Sequence, residues 1–260
     1  MPCRFDYHTH TRASFDGTAS LAEMARAAVE AGLTEVAVTD HCDFGGQQPG
    51  AIDPLPPLEF DRISLPITLV RGAEIGQPHH EPEAANAFLD SYRPEFTIGS
   101  LHNLRGQMDF YYMTYNSAEA ARALVRDYVA ELFELVRWGR FSVLGHLTYP
   151  VRYIPPELKA DFAPHWADCE ELFRKLIQKG IGIELNVSGL ARPGQRPYPD
   201  LPLLRLYRQT GGEIVTIGSD AHSPQTIGQH IDDGLALLRQ AGFRAVAGFS
   251  GGKLRFEPIE

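Results

Sequence analysis

The segment His8-Thr9-His10 places two imidazoles two residues apart. On an extended strand side chains alternate, so both rings share a face and can offer nitrogen to one ion. Groups of the same kind recur along the chain. Asp16 follows in Asp16-Gly17, His41 ends Thr39-Asp40-His41, Glu74 ends Gly72-Ala73-Glu74, and His102 ends Gly99-Ser100-Leu101-His102. His146 follows Gly145, and Asp220 and His222 stand in Gly218-Ser219-Asp220-Ala221-His222. Each alone has a bland explanation: a hydrogen-bonded loop histidine, an exposed acid, a turn or a helix cap. Together they are six of the ten histidines with three carboxylates, each at or just past an apolar run. Gathered in one place without cations they would be costly, because unpaired buried charge is expensive. Mixed imidazole and carboxylate ligation suits Zn²⁺, Fe²⁺ or Mn²⁺ rather than Ca²⁺ or Mg²⁺, which prefer oxygen alone. The nine residues point to a multinuclear transition-metal site.

The elements that must position them alternate in a βα rhythm. Short β-branched runs predict strands at Arg4–Tyr7, Glu35–Val38, Ile67–Arg71, Phe96–Ile98, Ser142–Leu144, Ile181–Leu185, Glu213–Ile217 and, more weakly patterned, Ala245–Phe249. Helices are predicted after the capping box Ser20-Leu21-Ala22-Glu23 and at Pro82–Ser91, Ser117–Trp138, Ala163–Lys179, Leu201–Gln209 and Pro224–Ala241. Seven or eight such units without a composition break or an early glycine-rich phosphate loop predict one closed (β/α) barrel spanning residues 1–260 as a single domain. Long irregular segments, Asp43–Pro57, Asn103–Asn116, Thr148–Asp161 and Ser188–Asp200, follow predicted strands and would gather at the C-terminal face, where barrel enzymes place their active sites. Asp43–Pro57 is expected to cover the site.

Composition narrows the function. Against 33 Asp+Glu stand only 24 Lys+Arg, a formal net charge of -9, so no broad positive field exists to hold a polynucleotide. The three cysteines, Cys3, Cys42 and Cys169, form no CxxC pair and suit small apolar packers in a reducing cytoplasm. The sequence has no apolar run long enough for a membrane span or a signal peptide. No nucleic-acid or membrane partner is expected, and the oligomeric state stays open.

The ordered string HTH, D, TDH, GAE, SLH, GH, SDAH resembles the PHP (polymerase and histidinol phosphatase) family of metal-dependent phosphoesterases over nearly the whole chain. The segments Glu184–Leu190 and Ile217–His222, with Pro197-Tyr198-Pro199 between them, resemble its stand-alone histidinol-phosphate phosphatase branch. The resemblance implies a distorted seven-stranded barrel with three metal ions. It assigns His8, His10, Glu74 and Asp220 to the first ion, Glu74, His102 and His146 to the second, and Asp16, His41 and His222 to the third. The family carries Asp or His at the position of Asp16. Implied with this is hydrolysis of L-histidinol phosphate by a hydroxide bridging two ions, with Glu74, Asp220 and His222 central to catalysis. Three divalent ions against three carboxylates leave a positive pocket suited to a phosphate monoester.

Arg152 and Arg192, in loops after the fifth and sixth strands, are candidates to fork onto phosphate oxygens. Asp6 shares the face of His8 and is a candidate to orient an imidazole or to bond backbone. His79, His80, His165 and His230 fall outside the pattern and are expected at the surface; Phe110-Tyr111-Tyr112 lines the pocket or packs its loop. Two further readings stay open: a PHP phosphoesterase acting on nucleotides or oligonucleotide ends, and a catalytically silent PHP module.

Overall fold

The computed structural model describes residues 4–45, 56–192 and 196–259. The strands are β1 (Phe5–Thr9), β2 (Glu35–Val38), β3 (His41–Asp43), β4 (Thr68–Gly76), β5 (Phe96–Ser100), β6 (Val143–Leu144), β7 (Gly182–Asn186) and β8 (Val215–Gly218). Seven of them pair in parallel in the order β1-β2-β4-β5-β6-β7-β8. The ring nearly closes where Thr9 bridges Ala221 just past β8, the His10 amide donating to the Ala221 carbonyl at 2.8 Å. The result is the distorted seven-stranded (β/α) barrel. Strands β1, β5 and β7 are buried along their whole length, as parallel strands covered on both faces must be.

The sequence pattern does not reveal β3. Pairing of β2 with β4 lapses at Thr39-Asp40 and resumes with His41 opposite Glu74. Asp40 fills the gap, accepting from the Thr11 amide (2.6 Å), the Thr11 hydroxyl (2.9 Å) and the Ser14 hydroxyl (2.8 Å). The break thus anchors the loop after β1 and turns His41 toward Glu74.

Seven helices follow in chain order: α1 (Leu21–Glu30), α2 (Pro57–Asp61), α3 (Pro82–Tyr92), α4 (Ala118–Trp138), α5 (Trp166–Gln178), α6 (Leu201–Gln209) and α7 (Ile231–Ala241). The capping box on α1 forms as the sequence predicts, and Gly139 closes α4 in the left-handed conformation. One stripe of α4 buries Leu124, Tyr128, Leu132 and Leu135 against the barrel, each large apolar side chain stabilising by about 1.5–3 kcal/mol.

Three expectations are corrected. α7 begins at Ile231, not Pro224, because 224–230 is a run of turns with Gly228 at φ 71° and His230 at φ 60°, and the Gly228 amide is drawn to Asp6 Oδ2 at 3.0 Å. α5 begins at Trp166 behind a separate 3-10 turn, Ala163–His165. The run at Ala245 forms no eighth barrel strand: β9 (Ala245–Gly248) pairs antiparallel with β10 (Arg255–Pro258). That hairpin is tied to the N-terminal ends of the strands by Arg255, which pairs with Glu35, itself hydrogen-bonded to Tyr7. Cys42 and Cys169 are buried thiols, as expected of packers. Cys3 and residues 46–55, which include most of the Asp43–Pro57 segment expected to cover the site, lie outside the described residues, as do 193–195 of Ser188–Asp200. Among the described residues no helix is long and apolar enough to cross a membrane.

Candidate metal centre

All nine residues singled out in the sequence lie at the C-terminal ends of the barrel strands or in the loops that leave them. His8 sits on β1 and His10 just past it; His41 opens β3; Glu74 lies on β4; His102, His146 and Asp220 each follow their strand by two residues. Asp220 adopts φ 57°, a left-handed conformation that Asp tolerates better than most residues.

Glu74 is the hub. Its Oε1 lies 3.1 Å from His102 Nε2 and 2.9 Å from His146 Nε2. Its Oε2 lies 3.3 Å from His8 Nε2, 3.6 Å from His10 Nε2 and 2.9 Å from His41 Nδ1. Asp220 Oδ1 is 3.5 Å from both His8 Nε2 and His10 Nε2. Asp16 stands 3.7 Å from His41 Nε2 and 3.2 Å from His222 Nε2. Three overlapping donor groups result, with His41 placed between Asp16 and Glu74.

Whether these groups suit cations is decided by the free nitrogens. His8 Nδ1–H donates to Glu184 Oε1 (2.6 Å), His10 Nδ1–H to the Ser14 hydroxyl (3.0 Å), His102 Nδ1–H to Asp43 Oδ2 (3.1 Å) and His222 Nδ1–H to the Asp220 carbonyl (2.9 Å). With those protons held outside, Nε2 carries the lone pair. Among the described residues His8 Nε2, His10 Nε2, His222 Nε2 and Glu74 Oε2 are buried with no hydrogen-bond partner. Held outer nitrogens and free inner ones are the pattern of ligating histidines. The spacing agrees: donors at about 2.1 Å around a tetrahedral ion stand about 3.4 Å apart, and the four histidine–carboxylate pairs that His8 and His10 make with Glu74 and Asp220 measure 3.3–3.6 Å. The residues therefore fit divalent transition metals.

Electrostatics follow from the same packing. Burial opposes the charged forms, yet Glu184, Glu74 and Asp220 outweigh it at His8 and hold that imidazole well above its ordinary value, so an ion that binds at Nε2 takes the place of a proton. His41 is raised to about 10, burial being overcome chiefly by Glu74 and Asp16. Burial and the neighbouring His222 and His41 push His10 well down. Glu74 and Asp220 are held far below the usual carboxylate range, the histidines outweighing burial.

Other candidates divide. Arg152 is half-buried beside the centre, donating to the Ser188 hydroxyl at 2.9 Å and reaching Asp220 Oδ2 at 3.4 Å. Arg192 is exposed at the end of the turn Ser188–Ala191. Asp6 takes the backbone alternative: it accepts from the amides of Ser219 (2.9 Å), Gly228 (3.0 Å) and His8 (3.4 Å) and from the Ser219 hydroxyl. His79 and His80 are not surface residues; both rings are buried against Glu131. His165 and His230 pair with Asp168 and Asp233 near helix starts. Phe110 packs its loop against Tyr128, whereas Tyr111 and Tyr112 are exposed. Sequence reasoning missed Glu184, Asp43 and Ser14 as supports of the rings. Only Glu184 carries a sequence signal, an acid between Ile183 and Leu185 in an apolar strand.

The PHP domain family matches residues 6–188. A protein of Thermotoga maritima named "Probable histidinol-phosphatase" is 27% identical over 242 residues, covering 93% of this chain and 94% of the relative. Histidinol-phosphatase of Lactococcus lactis is 28% identical over 267 residues, covering 96% of each. The crystal structure of histidinol phosphate phosphatase from Lactococcus lactis, complexed with zinc, L-histidinol and phosphate, superposes with a TM-score of 0.81 at 27% identity, covering 97% of this chain and 98% of that one. The string of histidines and acids at the ends of the barrel strands, the converging donor atoms and a family match over most of the chain agree: this chain belongs to the PHP domain family.

Proposed function

We propose that the chain is a cytoplasmic, single-domain phosphatase that hydrolyses L-histidinol phosphate to L-histidinol and phosphate in histidine biosynthesis. The observation that carries this reading is the convergence of nine metal-type donors beside a half-buried arginine. It is supported by similarity along nearly the whole length to histidinol-phosphatases, one of them seen with zinc, L-histidinol and phosphate.

His8, His10, Glu74 and Asp220 would hold one ion, Glu74, His102 and His146 a second, and Asp16, His41 and His222 a third, as Zn²⁺, Fe²⁺ or Mn²⁺. Bound there, the ions supply positive charge for a phosphate dianion and lower the pKa of water toward neutrality. Glu74, offering one oxygen to each of two donor groups, sets their spacing. Asp220 turns Oδ1 toward the histidines and Oδ2 toward Arg152, so it fixes the guanidinium at the edge of the centre. Arg152 is placed to fork onto phosphoryl oxygens and offset the charge that grows in the transition state; Arg192, farther out, is assigned to the same anion. His222 keeps its Nδ1 proton on the Asp220 carbonyl and so presents Nε2 inward. Tyr149 packs on His146 with ring centroids 4.7 Å apart and receives the Tyr153 hydroxyl, closing one wall against water.

The test is phosphate release from a panel of monoesters, nucleotides and oligonucleotides. We expect kcat/KM for histidinol phosphate to exceed that for p-nitrophenyl phosphate and nucleoside monophosphates by about a hundredfold, or about 2.7 kcal/mol. Equal turnover of nucleotides or DNA ends would reject this substrate.

A further inference from the structure

Glu184 stands on β7 with its side chain buried, and both of its oxygens are engaged. Oε1 accepts from His8 Nδ1–H at 2.6 Å and, more distantly, from Asn186 Nδ2 at 3.4 Å; Oε2 accepts from the His146 backbone amide at 2.7 Å. The backbone has been cleared around it: a Cβ on Gly218 would lie 2.6 Å from Glu184 Oε1 and 2.4 Å from the His8 Cβ. His8 belongs to the first donor group and His146 to the second, and one carboxylate spans them.

We infer that Glu184 is a positioning residue that couples two metal positions by fixing the His8 ring and the His146 backbone together. The inference rests on the metal assignment proposed above. A carboxylate can accept from both groups at once. An amide cannot: with its oxygen on His8, its NH₂ meets the His146 N–H, and with its oxygen on His146, its NH₂ meets His8 Nδ1. In the second arrangement the His8 proton moves to Nε2, and the ring can no longer ligate through that atom. Asp16, His41 and His222 make no direct contact with Glu184 and reach it only through Glu74, so the third position should feel its loss least.

The experiment is zinc retention by the full chain against a competing chelator. In Glu184→Gln two ions should leave at about 10- to 100-fold weaker competition than in wild type, the usual cost of losing an outer partner of a ligand. The third should leave as in wild type, and added zinc should restore kcat with KM unchanged. Wild-type retention of all ions, or equal weakening of all three, overturns the coupling. A measurement needing no variant is nitrogen NMR of the zinc-loaded wild type: the His8 proton should reside on Nδ1, and its presence on Nε2 overturns the inference. A wild-type chain that takes up no zinc overturns the metal assignment beneath it instead.

Discussion

Two clusters of buried histidines face carboxylates in this molecule, and they differ in which ring nitrogen is free. At the barrel mouth His8, His10 and His222 have Nδ1 held from outside and Nε2 free among the described residues, facing Glu74, Asp220 or Asp16. Beside α4 the order is reversed. His79 Nε2 lies 3.2 Å from Glu131 Oε1, His80 Nε2 bonds the same oxygen, and both Nδ1 atoms are the buried, unpartnered ones among the described residues. The single Arg105 amide N–H is shared between the two oxygens of the same carboxylate at 3.2 and 3.3 Å, and its guanidinium donates to the His79 carbonyl (2.9 Å) and the His80 carbonyl (3.1 Å). Glu131 gathers three donors already in the chain and acts as a clamp, tying the turn after β4 to α4 and the loop after β5. Proximity of histidines and an acid is common to both clusters. What sets His8, His10 and His222 apart from the His79–His80 knot is the side on which the rings are satisfied, whereas His146, with Nε2 on Glu74 and Nδ1 unpartnered among the described residues, shares the knot's pattern and joins the centre by its place beside Glu74.

The contrast breaks most sharply on metal removal. Chelation should abolish turnover, and protein purified without chelator should contain about three ions per chain, since Glu74 shared between two positions leaves each ion three or four contacts. Glu131→Gln should show the same count by metal analysis; loss of an ion would move the second cluster into the metal class. Next in size, Glu74→Gln should lower kcat by about a thousandfold or more, the upper range for one lost electrostatic stabiliser. Glu131→Gln, assayed alongside, should stay within about threefold. Arg152→Ala should lose about 2–4 kcal/mol in kcat/KM if its guanidinium meets phosphoryl oxygens. An unaltered ratio would remove Arg152 from the site.

The smallest effect tests the clamp itself. Burial would raise Glu131, but His79 and His80 outweigh it and hold it at about 2, below the ordinary 4.5. A carboxyl lowered by folding contributes stability above its unfolded value and loses that contribution as pH falls from about 4.5 to about 2. Thermal melts across that window should therefore show a steeper loss in wild type than in Glu131→Gln. At neutral pH the variant should melt about 2–4 °C lower, the shift expected for about 1 kcal/mol in a chain of this size. Parallel profiles would mean the clamp adds nothing.

The barrel was legible because βα alternation is a local signal: α6 matches its predicted bounds, and β2 does so too. Boundaries failed where a distant partner intervened, as when Asp6 captures the Gly228 amide and delays α7. The run at Ala245 reads as a strand and is one, but its antiparallel partner β10 removes it from the barrel. His79 and His80 read as surface residues because nothing near them in sequence shows Glu131 waiting on α4.

By itself the sequence determined which residue types stand at which strand ends, because period-two alternation within a strand decides which side chains share a face. It thereby named His8 and His10 as a pair and placed Glu74, His102, His146 and Asp220 at the ends of their strands. Only the tertiary structure decided which nitrogen of His8 and of His102 faces inward, because that is set by a hydrogen-bond partner far along the chain, 176 residues away for His8 and Glu184 and 59 for His102 and Asp43, whereas His10 and His222 are held by the nearby Ser14 and Asp220. Alternation along one strand carries no information about which strand lies opposite, and it is the opposite strand that orients the ligand.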